Sequence, residues 1–291
     1  MDSPQHLHSQ LPSLLRLLED ESIRPAILNA LAAFGPTLEE DIRLLQIPLS
    51  AQQALLVRSL LDEQYEARVV EQFTQWMQEG KEDERLERFH RLVAEFQFGR
   101  LYPAQLRSLL DALADEYDAR YAVRDPLLLA EFLFQGYALR GVAEDDYYNP
   151  LNSNLLYVIE QRRGIPISLA CIYILVGRRL DIRIEGCNMP GHFLAMFRKH
   201  RKNVYVDCYR AGTVLDVDTV RTMYSALTRR ELATLQCDDF VIAARVLRNL
   251  AFAYEYHRQH RHARTVQRLY NLLADHTSRF TRQESDEAHL E

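Results

Sequence analysis

Two residues that could carry acid–base chemistry lie beyond the middle of the chain, His192 and Asp207. Alternating apolar residues predict strands at 192–197 and 204–207, so the imidazole and the carboxylate belong to successive strands. A histidine that is oriented by a carboxylate can act as a general base. The same two groups can also form a purely structural polar pair. We expect the pair to form, and both roles stay open.

A general base of this kind needs a nucleophile, and the sequence offers few candidates. An apolar helix is predicted to start at Pro166, with Ser168 in its first turn, where a hydroxyl is most often part of the helix start. Cys171 lies five residues beyond Pro166 and therefore points about 140° away from it around the helix. We interpret Cys171, Cys187 and Cys208 as packing residues. Ser168 is the better substitute nucleophile.

The secondary structure predicted around these residues changes from helix to strand and back to helix along the chain. Helical periodicity dominates the first half, where Thr37 is predicted to open a capping box and Ser50 to cap the next helix. The period shortens to two between about 182 and 217, which predicts a small antiparallel sheet. Helices are predicted at 155–161, before the sheet, and at 239–256, after it. The predicted fold class is α+β, mostly helical.

Turn-rich and charged stretches divide the chain into four predicted segments. Residues 1–10 are expected to be a disordered tail. An N-terminal helical region follows at 11–100, then a core at 101–226 and a C-terminal helical region at 227–291. No fixed period of 20–50 residues is convincing in the N-terminal region, so we do not predict a repeat array there.

The composition argues against several function classes. The formal net charge of −6 gives no reason to expect nucleic acid as a partner. No apolar run is long enough to span a membrane, and the first ten residues lack a secretory signal, so we expect a cytoplasmic protein without a membrane partner. The four cysteines show no metal-binding spacing, and neither a metal nor a cofactor is expected.

Three phrases of the sequence resemble the transglutaminase-like superfamily and, within it, the SirB-type proteins. They are residues 147–153 (YYNPLNS), 162–169 (RRGIPISL) and 190–194 (PGHFL), in that order. The resemblance covers residues 127–220. The helical stretch from Arg245 onward is similar to the tetratricopeptide-like helices that follow this core in the family.

The resemblance implies a papain-like core in which His192 and Asp207 take the places of the catalytic histidine and aspartate. The superfamily's nucleophile lies in a Gly-x-Cys-x-x-x-Ala pattern, and the corresponding segment is 164–170, so Pro166 stands at the cysteine position. SirB-type proteins generally share this loss and are usually described as regulatory or of unknown activity; eukaryotic relatives carry an F-box for ubiquitin-ligase assembly. We therefore expect a non-catalytic scaffold that binds a protein or peptide partner.

A second hypothesis is that this site retains catalytic activity. A hydrolase of amides or esters could use His192 and Asp207, with Ser168 or a bound water as the nucleophile. This hypothesis rests on the retained histidine and aspartate. A nucleic-acid regulator is a third hypothesis, which the acidic net charge disfavours.

Overall fold

The computed structural model describes residues 4–78, 82–99 and 105–287. The predicted boundary between residues 100 and 101 lies outside these ranges, as do residues 1–3 of the predicted tail. The first helix begins at Pro4. The division into four segments stays a prediction.

The described residues form two compact units, of which unit 1 is helical. Of the described residues, unit 1 comprises those from 4 to 72 together with 92–99 and 105. Its described helices are α1 (Pro4–Leu17), α2 (Arg24–Ala32), α3 (Leu38–Leu44), α4 (Ala51–Leu60) and parts of α5 (Asp62–Gln78) and α6 (Glu82–Phe98).

Two helix starts in unit 1 test the capping predictions. The Ser50 hydroxyl accepts the Gln53 amide, and the Gln53 side chain accepts the Ser50 amide, so the predicted cap is confirmed. The capping box predicted at Thr37 is wrong. A 3₁₀ turn at Gly35–Thr37 already gives Thr37 helical backbone angles, whereas a capping residue needs extended ones. The Thr37 hydroxyl donates instead to the Asp41 carboxylate at 2.9 Å.

Unit 2 comprises residues 73–91 and the described chain from 106 onward, and it holds every strand of the described residues. Besides the remaining parts of α5 and α6, its helices are α7 (Leu106–Arg120), α8 (Pro126–Glu131), α9 (Leu155–Gln161), α10 (Pro166–Arg179), α11 (Val217–Met223), α12 (Arg229–Thr234), α13 (Asp239–Tyr256) and α14 (His260–Glu287). Its strands are β1 (Arg140–Gly141), β2 (Arg163–Gly164), β3 (Glu185–Cys187), β4 (Leu194–Lys199), β5 (Lys202–Asp207), β6 (Thr213–Asp216) and β7 (Gln236–Cys237).

Five of these strands form one antiparallel sheet in the order β6-β5-β4-β3-β7. β4 and β5 form a hairpin whose two turn residues, His200 and Arg201, have φ angles of 48° and 66°, the positive values that a tight hairpin turn needs. The small antiparallel sheet is therefore confirmed. β7 joins it from the segment 227–291, for which the sequence predicts only helices. β1 and β2 form a separate parallel pair.

α10 is the central helix of unit 2. All side chains from Pro166 to Gly177 are buried, as its nearly uniform apolar composition predicts. The sheet packs on it through β3 and β4, and α7, α8, α9 and α13 pack around it. The fold class is α+β and mostly helical, in agreement with the prediction.

α13 and α14 form a helix pair at the end of the described chain. Asp238 caps α13 by accepting the Val241 amide at 2.8 Å, and the helix has the predicted bounds, 239–256. A relationship of this pair to tetratricopeptide repeats stays a prediction.

Candidate functional site

A tight turn places His192 beside the sheet. Gly191 has a φ angle of +74°, which favours glycine, and the His192 amide donates to the Met189 carbonyl at 3.2 Å. The turn delays the strand, so β4 starts at Leu194 rather than at His192 as the periodicity predicts. His192 is therefore a turn residue just outside the hairpin.

Asp207 ends β5 at the same edge of the hairpin and contacts His192. Nε2 of His192 lies 3.0 Å from Oδ2 of Asp207. The Asp207 side chain is 2% exposed, and its Oδ1 accepts the Arg210 amide at 3.1 Å. The imidazole is 20% exposed, and no described residue forms a hydrogen bond with its Nδ1. The nitrogen that remains available to a nucleophile, a water or a ligand is thus Nδ1.

Tyr209 connects this pair to the start of α10. Its ring lies edge-on to His192, with 6.4 Å between the ring centroids, and its hydroxyl donates to the Val142 carbonyl at 2.7 Å. The Val142 amide in turn donates to the carbonyl of Gly164, two residues before Pro166. The sequence reasoning did not single out Tyr209, because its partners are distant in sequence.

Gly141 sets the position of the Tyr209 ring. A Cβ atom built on Gly141 would lie only 2.6 Å from Cε2 of that ring, so any larger residue must displace it. We expect Gly141→Ala to lower the free energy of unfolding by about 1–3 kcal/mol, the usual effect of overpacking. Chemical denaturation with urea measures this change.

Two further variants control this experiment. Gly136→Ala introduces a methyl group whose nearest neighbours lie 3.9 Å away, so it should be nearly neutral. Adding Tyr209→Ala to Gly141→Ala removes the clashing ring, so the cost of Gly141→Ala should largely vanish when measured against Tyr209→Ala alone. A Gly141→Ala cost that stays the same without the ring contradicts this role of Gly141.

The start of α10 carries no nucleophile at the position expected for one. Pro166 is the first residue of the helix, and Ile165, which precedes it, makes no side-chain cap. The Ser168 hydroxyl is buried and donates to the Asn152 carbonyl at 2.6 Å. It thereby ties the turn Pro150–Ser153 to α10, and it makes no hydrogen bond with His192. Asn152 is a second residue that the sequence reasoning missed.

The four thiols are poor nucleophiles. Cys171, Cys187 and Cys208 are completely buried, which confirms that they are packing residues. Burial raises the pKa of Cys187 to about 12 and those of Cys171 and Cys208 well above the ordinary value. It also raises the pKa of Cys237, so the reactive thiolate forms of all four are disfavoured.

Other kinds of site are not evident in the described part of the chain. No cluster of three or more histidine, cysteine or carboxylate side chains there could hold a metal ion. Among the same residues, no helix combines the length and the apolar character that crossing a bilayer requires. A groove with a volume of about 1080 Å³ lies at the other end of α10, lined by Arg178, Gly186 and Asp239 among others, and His192 is not part of it.

Comparisons with known proteins support the resemblance to the transglutaminase-like superfamily. A family model described as the transglutaminase-like superfamily matches residues 101–248. A UPF0162 protein of Xylella fastidiosa (strain Temecula1) is 35% identical over 190 residues, which are 59% of this chain and 67% of that protein. A UPF0162 protein of Pseudomonas aeruginosa is 33% identical over 109 residues, 37% of this chain and 36% of that protein.

A shorter match extends to eukaryotes. Human F-box only protein 21 is 34% identical over 80 residues, which are 25% of this chain and 13% of that protein. No solved structure matches the chain. The family model covers half of the chain, and the same stretch contains the His192–Asp207 pair and the start of α10. The chain belongs to the transglutaminase-like superfamily.

Proposed function

We propose that this chain is a non-catalytic transglutaminase-like scaffold of the SirB type, which acts in regulation by binding a protein partner. The observation that carries the proposal is Pro166 at the first position of α10, where the resemblance places the nucleophilic cysteine. Proline has no side-chain atom that can attack a carbonyl group. The Ser168 hydroxyl is held by the Asn152 carbonyl, and the four thiols are largely or completely buried.

The His192–Asp207 pair then serves binding. Asp207 fixes the orientation of the imidazole through Nε2, so Nδ1 presents one hydrogen-bonding atom in a defined direction. A backbone amide or carbonyl of a bound peptide suits such an atom. The proposed partner is therefore a protein or peptide rather than nucleic acid or a membrane, and a cytoplasmic location stays part of the proposal.

A hydrolase remains the second candidate, and one observation favours it. The pair keeps a 3.0 Å contact with a partly exposed imidazole, which is the arrangement that activates a water molecule. Under this alternative the chain hydrolyses esters or amides in a way that depends on His192. If Ser168 is the nucleophile, the activity also depends on its hydroxyl.

The first test compares the wild type with His192→Ala and Ser168→Ala. We expect all three to hydrolyse p-nitrophenyl acetate at the same background rate, and none to react with a fluorophosphonate probe for activated serines. Loss of activity in His192→Ala would overturn the non-catalytic proposal. Labelling that disappears in Ser168→Ala would assign the nucleophile to that serine.

A second test restores the missing sulfur. In Pro166→Cys the new thiol lies at the buried N-terminus of α10, where burial raises its pKa, the helix dipole lowers it, and an imidazolium that faces it lowers it further. We expect iodoacetamide to alkylate it at pH 7 about tenfold faster than in Pro166→Cys/His192→Ala. Equal rates would mean that the pair does not face this helix start. The wild type, whose thiols are largely or completely buried, serves as the blank.

A further inference from the structure

Three aromatic side chains beside the candidate site remain open to solvent. Tyr148 is 39% exposed, Phe252 54% and Tyr256 61%. They touch one another, with 5.0 Å between the ring centroids of Tyr148 and Phe252 and 4.9 Å between those of Tyr148 and Tyr256. A contiguous group of exposed rings leaves much apolar area in water, which is characteristic of an interaction surface.

Two arginines lie on the same face of α13 as Phe252 and Tyr256. At 3.6 residues per turn, Arg245, Arg248, Phe252 and Tyr256 fall within an arc of about 80°. Neither guanidinium has a carboxylate within 4 Å among the described residues. The four residues and Tyr148 together form what we call the α13 strip.

Arg245 retains unused hydrogen-bonding capacity. Its Nη1 donates to Oδ1 of Asn188 at 2.8 Å, whereas its Nε is buried and has no hydrogen-bond partner. Burial lowers the pKa of Arg245, and the like charge of Arg248 adds to this effect. A carboxylate is the group that best satisfies a guanidinium in such a place, because it offers two acceptor oxygens and a compensating charge.

The α13 strip leads directly to the His192–Asp207 pair. The ring of Tyr148 contacts that of Tyr147 (5.3 Å between centroids), Tyr147 contacts Tyr209 (6.2 Å), and Tyr209 contacts His192 (6.4 Å). A continuous series of ring contacts therefore joins the strip to the imidazole within unit 2.

We propose that the α13 strip binds a segment of a partner protein that combines aromatic or large aliphatic side chains with carboxylates. The apolar side chains pack on the three exposed rings, and the carboxylates pair with Arg245 and Arg248. This inference rests on the proposed function, because it names the surface and the chemistry by which the scaffold holds its partner.

The charges around the α13 strip favour a peptide over a nucleic acid. Three carboxylates, Glu144–Asp146, directly precede the tyrosine pair 147–148. The sugar–phosphate backbone of a nucleic acid carries a charge at every nucleotide, so along the rings it would pass these carboxylates and be repelled. A peptide can place its own carboxylates only at the arginines. The chain's net charge of −6 acts in the same direction.

A peptide selection on the full chain tests the proposal. Phage displaying random dodecapeptides are selected on the immobilised wild type, and enriched peptides are synthesised with a fluorescein label for anisotropy titrations. We expect the enriched sequences to combine aromatic or large aliphatic residues with aspartate or glutamate. Phe252→Ser/Tyr256→Ser should weaken their binding about tenfold or more, and Arg248→Gln should weaken it several-fold and reduce its salt dependence.

The matched controls alter similar groups elsewhere on unit 2. Val214→Ser/Met223→Ser removes two exposed apolar side chains, and Arg264→Gln removes an exposed arginine on α14, so both should bind the peptides as the wild type does. Thermal unfolding of each variant verifies that it is folded. The proposal is overturned if no peptide is enriched, if the strip variants bind as well as the controls, or if labelled oligothymidylate binds through the strip in place of peptides.

The same peptides separate this inference from the proposed function. Mass spectrometry after incubation with wild type and His192→Ala shows whether a bound peptide is cleaved. If peptides are cleaved only when His192 is present and their binding depends on the strip, the proposal of a non-catalytic scaffold is refuted, whereas the inference about the α13 strip is supported. If the peptides stay intact and the strip variants bind them as well as the wild type does, the inference about the α13 strip is refuted, whereas the proposal of a non-catalytic scaffold is not.

Discussion

Lowering the pH from 7 to 5 should destabilise unit 2 through one residue, His90. Its side chain is completely buried, and neither ring nitrogen has a hydrogen-bond partner. Burial lowers its pKa from the ordinary 6.5 to about 3. The unfolded chain therefore binds a proton below pH 6.5, whereas the folded chain binds it only near pH 3. Between these values the unfolded state is favoured progressively as the pH falls, and above pH 6.5 the effect vanishes.

The expected slope approaches about 1.4 kcal/mol per pH unit below pH 6. Urea denaturation at pH 7.5, 6.5, 5.5 and 5.0 measures it, in a range where most carboxylates stay ionised. His90→Leu should remove this contribution and also raise the free energy of unfolding at pH 7.5 by about 1–2 kcal/mol, because it eliminates two buried polar atoms without partners.

His257→Gln is the matched control, since His257 is exposed and should add little to the slope. The interpretation fails if His90→Leu has the same pH dependence as the wild type. It also fails if His90→Leu is less stable than the wild type at pH 7.5, which would mean that the imidazole makes a favourable interaction.

Composition and periodicity were sufficient to predict several helices. The bounds of α9 and α13 agree with the predictions 155–161 and 239–256, because each has a polar cap and a continuous helical pattern. The complete burial of α10 follows from a composition that leaves no polar face toward solvent. In each case a local pattern and the tertiary structure favour the same conformation, so the sequence suffices.

The shortest strands could not be predicted in this way. β1, β2 and β7 contain two residues each, too few for any alternation to be visible, and their pairing is decided by where other elements bring them. The capping box predicted at Thr37 was wrong for a related reason. Its capping pattern is local, but the preceding turn imposes helical backbone angles that exclude the cap.

In the candidate site, too, some contacts could be predicted from the sequence and others could not. A contact between His192 and Asp207 could be predicted, since both lie near the ends of successive strands of one hairpin. The contacts of the residues that surround this pair could not be predicted. Tyr209 meets Gly141 and Tyr147, and Ser168 meets Asn152, only because β1 and the turn at 150–153 are folded against α10. Such contacts depend on the tertiary arrangement rather than on a motif.

Removing the carboxylate of Asp239 should cost unit 2 about 1–3 kcal/mol, the usual range when a buried donor loses its acceptor, because the Arg178 side chain is 33% exposed and can turn to solvent. Asp239 is 7% exposed, and its two oxygens accept Arg178 at 2.6 and 3.0 Å. One of them also accepts the Leu86 amide at 3.1 Å. The carboxylate therefore joins α13 to α10 and α6, and Asp239→Ala leaves both a guanidinium and a buried amide without this acceptor.

Urea denaturation at pH 7.5 measures the effect, and two variants separate its causes. Asp239→Asn keeps an acceptor for the Leu86 amide while losing the charge, so its cost should be smaller than that of Asp239→Ala. Asp218→Ala breaks an exposed aspartate–arginine pair with Arg221 on α11 and should cost less than about 1 kcal/mol. If Asp239→Ala costs no more than Asp218→Ala, the three helices are held together by their apolar contacts alone, and the carboxylate adds nothing to the stability of unit 2.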